Sequence, residues 1–213
     1  MRSPLALQLR ERLVEAILPE VAFDGWSQHA LKRAARKSGI EEEEALALFP
    51  GGTASLVEEF GRWVDRRMEE SLLRAPPPKG ASLSQRVRRA LIVRLEIMAP
   101  WREALRHALA ILALPQNGPL ALRLLYESAD RIWYAAGDEA TDFSWYTKRL
   151  TLAAILAATL LYWLDDRSAN FVDTLGFLDR RLEDVATFGA ARQRLRSFFS
   201  AAPNPLRLFR LPN

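Results

Sequence analysis

The sequence predicts an all-α protein. Apolar residues recur every three to four positions through nearly every segment, no stretch alternates apolar and polar residues between hairpin turns, and Pro and Gly punctuate the chain where helices should stop. Its 213 residues can bury a sizeable core, and 49% hydrophobic with 26% charged residues is ordinary for a globular chain. A net charge of +4 does not by itself argue for nucleic acid.

The first helix is set by the stripe Leu5, Leu9, Leu13, Ile17 and Val21 and ends near Asp24 and Gly25. A second opens after Ser27, whose hydroxyl suits an N-cap, runs through Leu31, Ala34 and Ala35, and stops at Gly39. A third, from Glu41 to Phe49, halts at Pro50-Gly51-Gly52. Three helices of about 17, 11 and 7 residues on tight turns resemble the helix-turn-helix head of TetR-type regulators. Thr53 then opens a longer helix through Leu56, Phe60, Trp63, Val64, Met68 and Leu72, with Glu58 and Glu59 early and Arg66 and Arg67 late, as a helix dipole prefers. Pro76-Pro77-Pro78-Lys79-Gly80 is a linker. From Ser82 the pattern resumes through Val87, Leu91, Leu95 and Met98, breaks at Pro100, continues to Leu114 and breaks again over Pro115 to Pro119. Helices are expected over Leu120 to Ala136 and Leu150 to Leu164, with a final pair from Asn170 to Phe188 and Ala190 to Ala201. The uncharged run from Leu150 to Leu164 would extend roughly 22 Å as a helix, short of a ~30 Å hydrocarbon core, and reads as a buried helix.

Enzyme chemistry finds little footing. Cysteine is absent and His29 and His107 stand alone, so the usual nitrogen and sulfur metal shells cannot be assembled, and no nucleophile elbow, phosphate loop or dinucleotide fingerprint occurs. Carboxylates cluster at Asp138, Glu139 and Asp142, at Asp165 and Asp166, and at Asp179, Glu183 and Asp184. Helix ends and turns account for most of these, while Asp138 or Asp142 with Tyr146 is the pair an acid-base enzyme would use. A DNA-reading head is weakened by its own charge: the third helix opens Glu41-Glu42-Glu43-Glu44, and the cations Lys32, Arg33, Arg36 and Lys37 lie on the preceding helix. Residues 1–50 hold 7 Lys+Arg against 8 Asp+Glu, a net of −1, which leaves +5 for the remainder.

The C-terminal segment is basic and amphipathic. Val185, Phe188, Leu195, Phe198, Phe199 and Ala202 fall near one stripe, Arg192, Arg194 and Arg196 fall mostly off it, and no acid follows Asp184. Such a helix suits the headgroup boundary of an anionic membrane, with Arg192, Arg194, Leu195, Arg196, Phe198 and Phe199 as its membrane residues; docking onto its own core or a dimer mate fits the pattern as well. Met1 to Ile17 carries Arg10, Glu11, Arg12 and Glu15, unlike a secretory or acid-free transit peptide, so the mature chain is expected to start near residue 1.

A denser signal lies in the middle. The stretches Leu48-Phe49-Pro50-Gly51-Gly52, Pro115-Gln116-Asn117, Trp133-Tyr134-Ala135-Ala136-Gly137-Asp138, Thr141-Asp142-Phe143-Ser144-Trp145-Tyr146-Thr147-Lys148-Arg149, Asp173-Thr174 and Phe177-Leu178-Asp179-Arg180-Arg181 together resemble one family, the ninth Coq protein of ubiquinone biosynthesis, from about Leu13 to Phe188. The resemblance implies a TetR-like fold turned into a lipid binder, not an enzyme: a helix-turn-helix head over 1–52, a lipid-binding and dimerisation bundle over 53–189, and a membrane-associating tail over 190–213. It implies no cofactor, a bound isoprenoid lipid or phospholipid, homodimers, and a partner hydroxylase for demethoxyubiquinone, or another enzyme of ubiquinone synthesis. Asp138, Thr141, Asp142, Trp145, Tyr146 and Arg149 are expected to dock that partner. The aliphatic helix behind them suggests Trp133, Leu152, Ile155, Leu156, Thr159 and Leu160 as pocket lining. The quinone head would then be drawn to the water boundary. The protein is expected in the cytoplasm, peripheral on the inner membrane of a bacterium, or on the matrix side of the mitochondrial inner membrane in a eukaryote. The alternative function is a TetR-type DNA-binding regulator.

Overall fold

A computed structural model describes residues 4–138 and 144–185. Among these, every regular element is helical: α1 Pro4–Asp24, α2 Gln28–Ser38, α3 Glu42–Leu48, α4 Thr53–Arg74, α5 Leu83–Met98, α6 Arg102–Leu112, α7 Gly118–Ala135, α8 Ser144–Asp165, and α9 over 172–185. Short 3₁₀ turns at Ala99–Trp101, Pro115–Asn117 and Ala169–Phe171 join α5 to α6, α6 to α7 and α8 to α9.

Local chemistry sets the ends of these helices. The Ser27 hydroxyl accepts from the amide of Ala30 at 3.1 Å, and Gly39 closes α2 at φ 64°, a left-handed conformation that a Cβ would strain. Ser82 and Gln85 form a reciprocal capping box at the start of α5. Pro119 sits in the first turn of α7, where its missing N–H costs nothing, so the Pro115–Pro119 break is shorter than the sequence suggests.

α1 packs on α2, α3, α4 and α6, while α4, α5 and α7 pack together and α8 lies along α7. One apolar core runs through Leu13, Ile17 and Val21 of α1, Phe60, Trp63 and Met68 of α4, Leu91 and Leu95 of α5, Ile132 of α7, and Leu152 and Trp163 of α8. Leu5, expected on that stripe, is exposed one turn beyond it. The head is bolted to the bundle: the Trp26 indole donates to the Ala104 carbonyl at 2.9 Å and its ring stands 5.1 Å from Phe60. Glu59, buried, takes Arg66 at 2.8 Å and Arg10 at 3.4 Å. Glu58 and Glu59 lie past the first turn of α4, and cross-helix pairing with arginines, more than the dipole, explains them.

The largest departure from the sequence reading is α8. It begins at Ser144 rather than Leu150, so Trp145 to Arg149 belong to its first turns and not to a turn between helices. At 22 residues it is about 33 Å long, and Tyr146–Asp165 is long and apolar enough to cross a membrane. One face packs into the bundle core through Leu152, Leu156 and Trp163, while Leu150 and Leu161, expected to be buried, are 62% exposed on the other.

Candidate functional site

Five helices, α4 to α8, leave a cavity of about 270 Å³ between them. α4 contributes Phe60, Gly61 and Val64, α5 Arg94 and Met98, α6 Leu105 and Ala108, α7 Leu124 and Ser128, and α8 Leu156 and Leu160. The wall is almost entirely aliphatic and aromatic, which makes it a place for an apolar guest. Gly61 matters here. A glycine inside a helix is destabilising by roughly 0.5–1 kcal/mol relative to alanine, and a Cβ at this position would meet only the Leu124 methyls, the nearer at 3.7 Å. The missing side chain leaves space between α4 and α7.

Of the residues the sequence nominates for a pocket, Leu156 and Leu160 are on this wall. Leu152 is one turn further along the same face of α8, buried in the core, and Ile155 and Thr159 are buried on an adjacent face. The Thr159 hydroxyl has no hydrogen-bond partner among the described residues. Trp133 is half-buried at the other end of α7, with the Lys148 ammonium 5.5 Å from its ring.

The cavity's one charged side chain is Arg94. Its Nε donates to Asp65 Oδ1 at 2.9 Å and its Nη2 to Ser128 Oγ at 3.2 Å, while Ser128 donates to Asp65 Oδ2 at 2.8 Å. Nη1 faces Met98 Sδ at 3.5 Å. Burial of such an ion pair is tolerated because each group is hydrogen-bonded by the others.

The second region of interest is the junction of α7 and α8. α7 ends in a Schellman turn, with Gly137 at φ 78° and the Asp138 amide bonded to the Trp133 carbonyl at 3.0 Å. A Cβ on Gly137 would stand 2.8 Å from Arg86 Nη1, so both conformation and space require glycine. Asp138 then pairs with Lys148 at 2.8 Å and lies 3.9 Å from Arg149, which bonds Asp130 at 2.5 Å. The side chains of Asp138 and Arg149 are only 4% and 5% exposed. Both side chains hold the start of α8 against α7 from inside. Tyr146 is 60% exposed, and Trp145 lies in the first turn of α8. Thr141 and Asp142 lie outside the described residues, as do Arg192, Arg194, Leu195, Arg196, Phe198 and Phe199.

Asp166 caps α9. Burial pushes its carboxyl up, but hydrogen bonds from the hydroxyls and amides of Ser168 and Thr174 outweigh this and bring it down to about 2. The carbonyls of Trp163 and Leu164 at the end of α8 are taken by Arg102 and Arg106 of α6, Arg102 lying 4.7 Å from the Trp163 ring. Asp179 ties α9 to Arg88 of α5 at 2.5 and 2.9 Å. These carboxylates are structural. Among the described residues no three His, Asp or Glu side chains converge to hold a metal ion.

The head pairs its cations with its own carboxylates. Lys32 and Arg36 reach Glu42 at 3.5 and 3.2 Å, Arg33 pairs with Asp24 at 2.9 Å and with Glu20, and Lys37 pairs with Glu20. Glu42, Glu43 and Glu44 fill the first turn of α3, the end of the helix that would enter a DNA groove. This weighs against phosphate binding there.

Comparison with known proteins agrees with this architecture. Residues 118–189 match the COQ9 family. The chain is 33% identical over 196 residues to the mitochondrial ubiquinone biosynthesis protein COQ9 of Rattus norvegicus, covering 89% of this chain and 62% of that protein. The Homo sapiens protein gives 33% with 61% of its length covered, and Xenopus laevis COQ9-B gives 33% with 67%. The chain thus spans a little under two thirds of the rat and human relatives. Among solved structures, a TetR transcriptional regulator from Nitrosomonas europaea superposes with a TM-score of 0.65 at 21% identity, covering 84% of this chain and 98% of that one. That likeness establishes the TetR-like fold.

Proposed function

The chain belongs to the COQ9 family of ubiquinone biosynthesis proteins, and on that footing we propose that it is an accessory protein that binds an isoprenoid quinone precursor and passes it to a partner hydroxylase. The observation that carries the reading is the apolar cavity enclosed by α4 to α8. Prenyl lipids are nearly insoluble in water, and each CH₂ kept from water contributes about 0.8 kcal/mol, so an apolar hollow offers part of such a lipid a dry site at the membrane surface. Catalysis belongs to the partner, which would be met by the exposed start of α8 around Tyr146, braced from behind by Arg149 and Asp138. Relatives bear the word mitochondrial in their names, and a peripheral position on the membrane that holds the quinone pool suits the basic C-terminal segment. Pairing of two copies through the bundle belongs to the same reading.

The test is extraction of lipid from the purified full-length protein and from Gly61→Leu. Mass spectrometry is expected to find an isoprenoid or phospholipid with the wild type and at least a threefold lower yield with the variant, at an undiminished melting temperature. A wild-type protein that carries neither lipid after expression in quinone-producing cells would overturn the reading.

A further inference from the structure

The cavity has two unlike ends. The most exposed lining residues are Ala113, just after α6, and Leu161 of α8, and both are apolar. At the other end lie Arg94 and Ser128, only 5% and 3% exposed. A guanidinium carries five N–H donors. Asp65, Ser128 and Met98 take three of those on Arg94, which leaves two donor positions in a group that forms part of the cavity wall. Of the three acceptors, the Met98 sulfur is weak.

We propose that the Arg94, Asp65 and Ser128 cluster is a headgroup subsite, and that a lipid enters this cavity head first, a neutral ring oxygen accepting from Arg94 while the chain trails out past Leu161. This rests on the lipid-binding reading above and adds the orientation and the chemical class of the head. Two arguments fix them. The first is charge: Asp65 already neutralises Arg94 at 2.9 Å, and both are nearly inaccessible. An anionic phosphate or carboxylate would be a second negative charge in a low-dielectric site, whereas a carbonyl or phenol oxygen asks only for a hydrogen bond. The second is volume. An apolar cavity of ~150 Å³ holds one benzene ring, so about 270 Å³ takes a ring with small substituents but not a chain of many isoprene units. A tail-first guest would also set methyl groups against the two remaining N–H donors, which costs free energy that an oxygen recovers.

Three probes on one carbon frame separate the possibilities: tetramethyl-1,4-benzoquinone, 1,2,4,5-tetramethylbenzene, and 2,3,5,6-tetramethylbenzoate. Equilibrium dialysis against the full-length protein, stripped of lipid, is expected to give at least tenfold tighter binding of the quinone than of the hydrocarbon, with the benzoate weakest. Ser128→Ala, which keeps the Arg94–Asp65 pair, should lower quinone affinity about fivefold and leave the hydrocarbon unchanged. The double variant Arg94→Met with Asp65→Leu, which strands no charge, should erase the preference altogether. Equal binding of quinone and hydrocarbon would sink the headgroup subsite while leaving lipid binding intact. A preference for the benzoate would reverse the charge argument and overturn the proposal. Failure of all three to bind would remove the lipid-binding reading and this one together.

Discussion

In the head, four cations of α2 lie against carboxylates of α1 and α3 with side chains 35% to 63% exposed, whereas in the bundle Arg94 meets Asp65 with both side chains under a tenth exposed. The same pairing of guanidinium and carboxylate does different work in the two places. Water screens the head pairs, so they are individually weak. Around Arg94 the solvent is gone, and a hydrogen bond made or missed there weighs several times more.

Three perturbations sharpen that contrast. Arg94→Met alone leaves the Asp65 carboxylate buried without its counter-charge and is expected to destabilise the fold by about 3–5 kcal/mol; urea midpoints measure it, and adding Asp65→Leu should recover most of the loss. A single variant as stable as wild type would mean the pair is wetter than its burial implies. Next comes Asp166, whose folded-state carboxyl sits at about 2 against an ordinary 3.8. A depressed carboxyl contributes stability that is present above its unfolded value and lost as pH falls through its folded one. Asp166 should therefore contribute about 2 kcal/mol of the stability lost between pH 4 and 2, and Asp166→Asn should be weaker at neutral pH and lose about that much less across the window. Smallest is the head: Glu42→Ala removes the contacts to Lys32 and Arg36 and should cost under about 1 kcal/mol, vanishing in ~0.5 M salt. A salt-insensitive loss would show that these pairs are better shielded than their exposure suggests.

Much of the fold is legible in the residues because short-range chemistry wrote it. Ser27, Gly39 and Ser82 mark helix ends by their own hydrogen bonds and dihedrals, and each does so in the structure. The start of α8 was hidden because Ser144 to Arg149 reads as polar turn chemistry, and what makes it helix is tertiary: Arg149 is buried between Asp130 of α7 and Asp138. The cavity was only half visible. Periodicity tells which side of α8 turns inward, so Leu156 and Leu160 could be named, but it cannot tell where five helices fail to meet, and Gly61, Leu105 and Ala108 went unnoticed. Arg94 did leave a trace. It lies three residues after Leu91 and four before Met98, on the apolar face of α5, while Ser128 lies four from both Leu124 and Ile132. A charge on an inward stripe, matched by Asp65 three residues before Met68, is the sequence signature of a buried pair.

A hollow of about 270 Å³, with Ala113 and Leu161 exposed at its edge, would have no means of measuring what lies beyond its rim. Recognition would be confined to the aromatic end of the guest, and carriers with prenyl tails of different length would be handled alike. Such a protein could be moved between cells that make quinones of different length without a change to its interior.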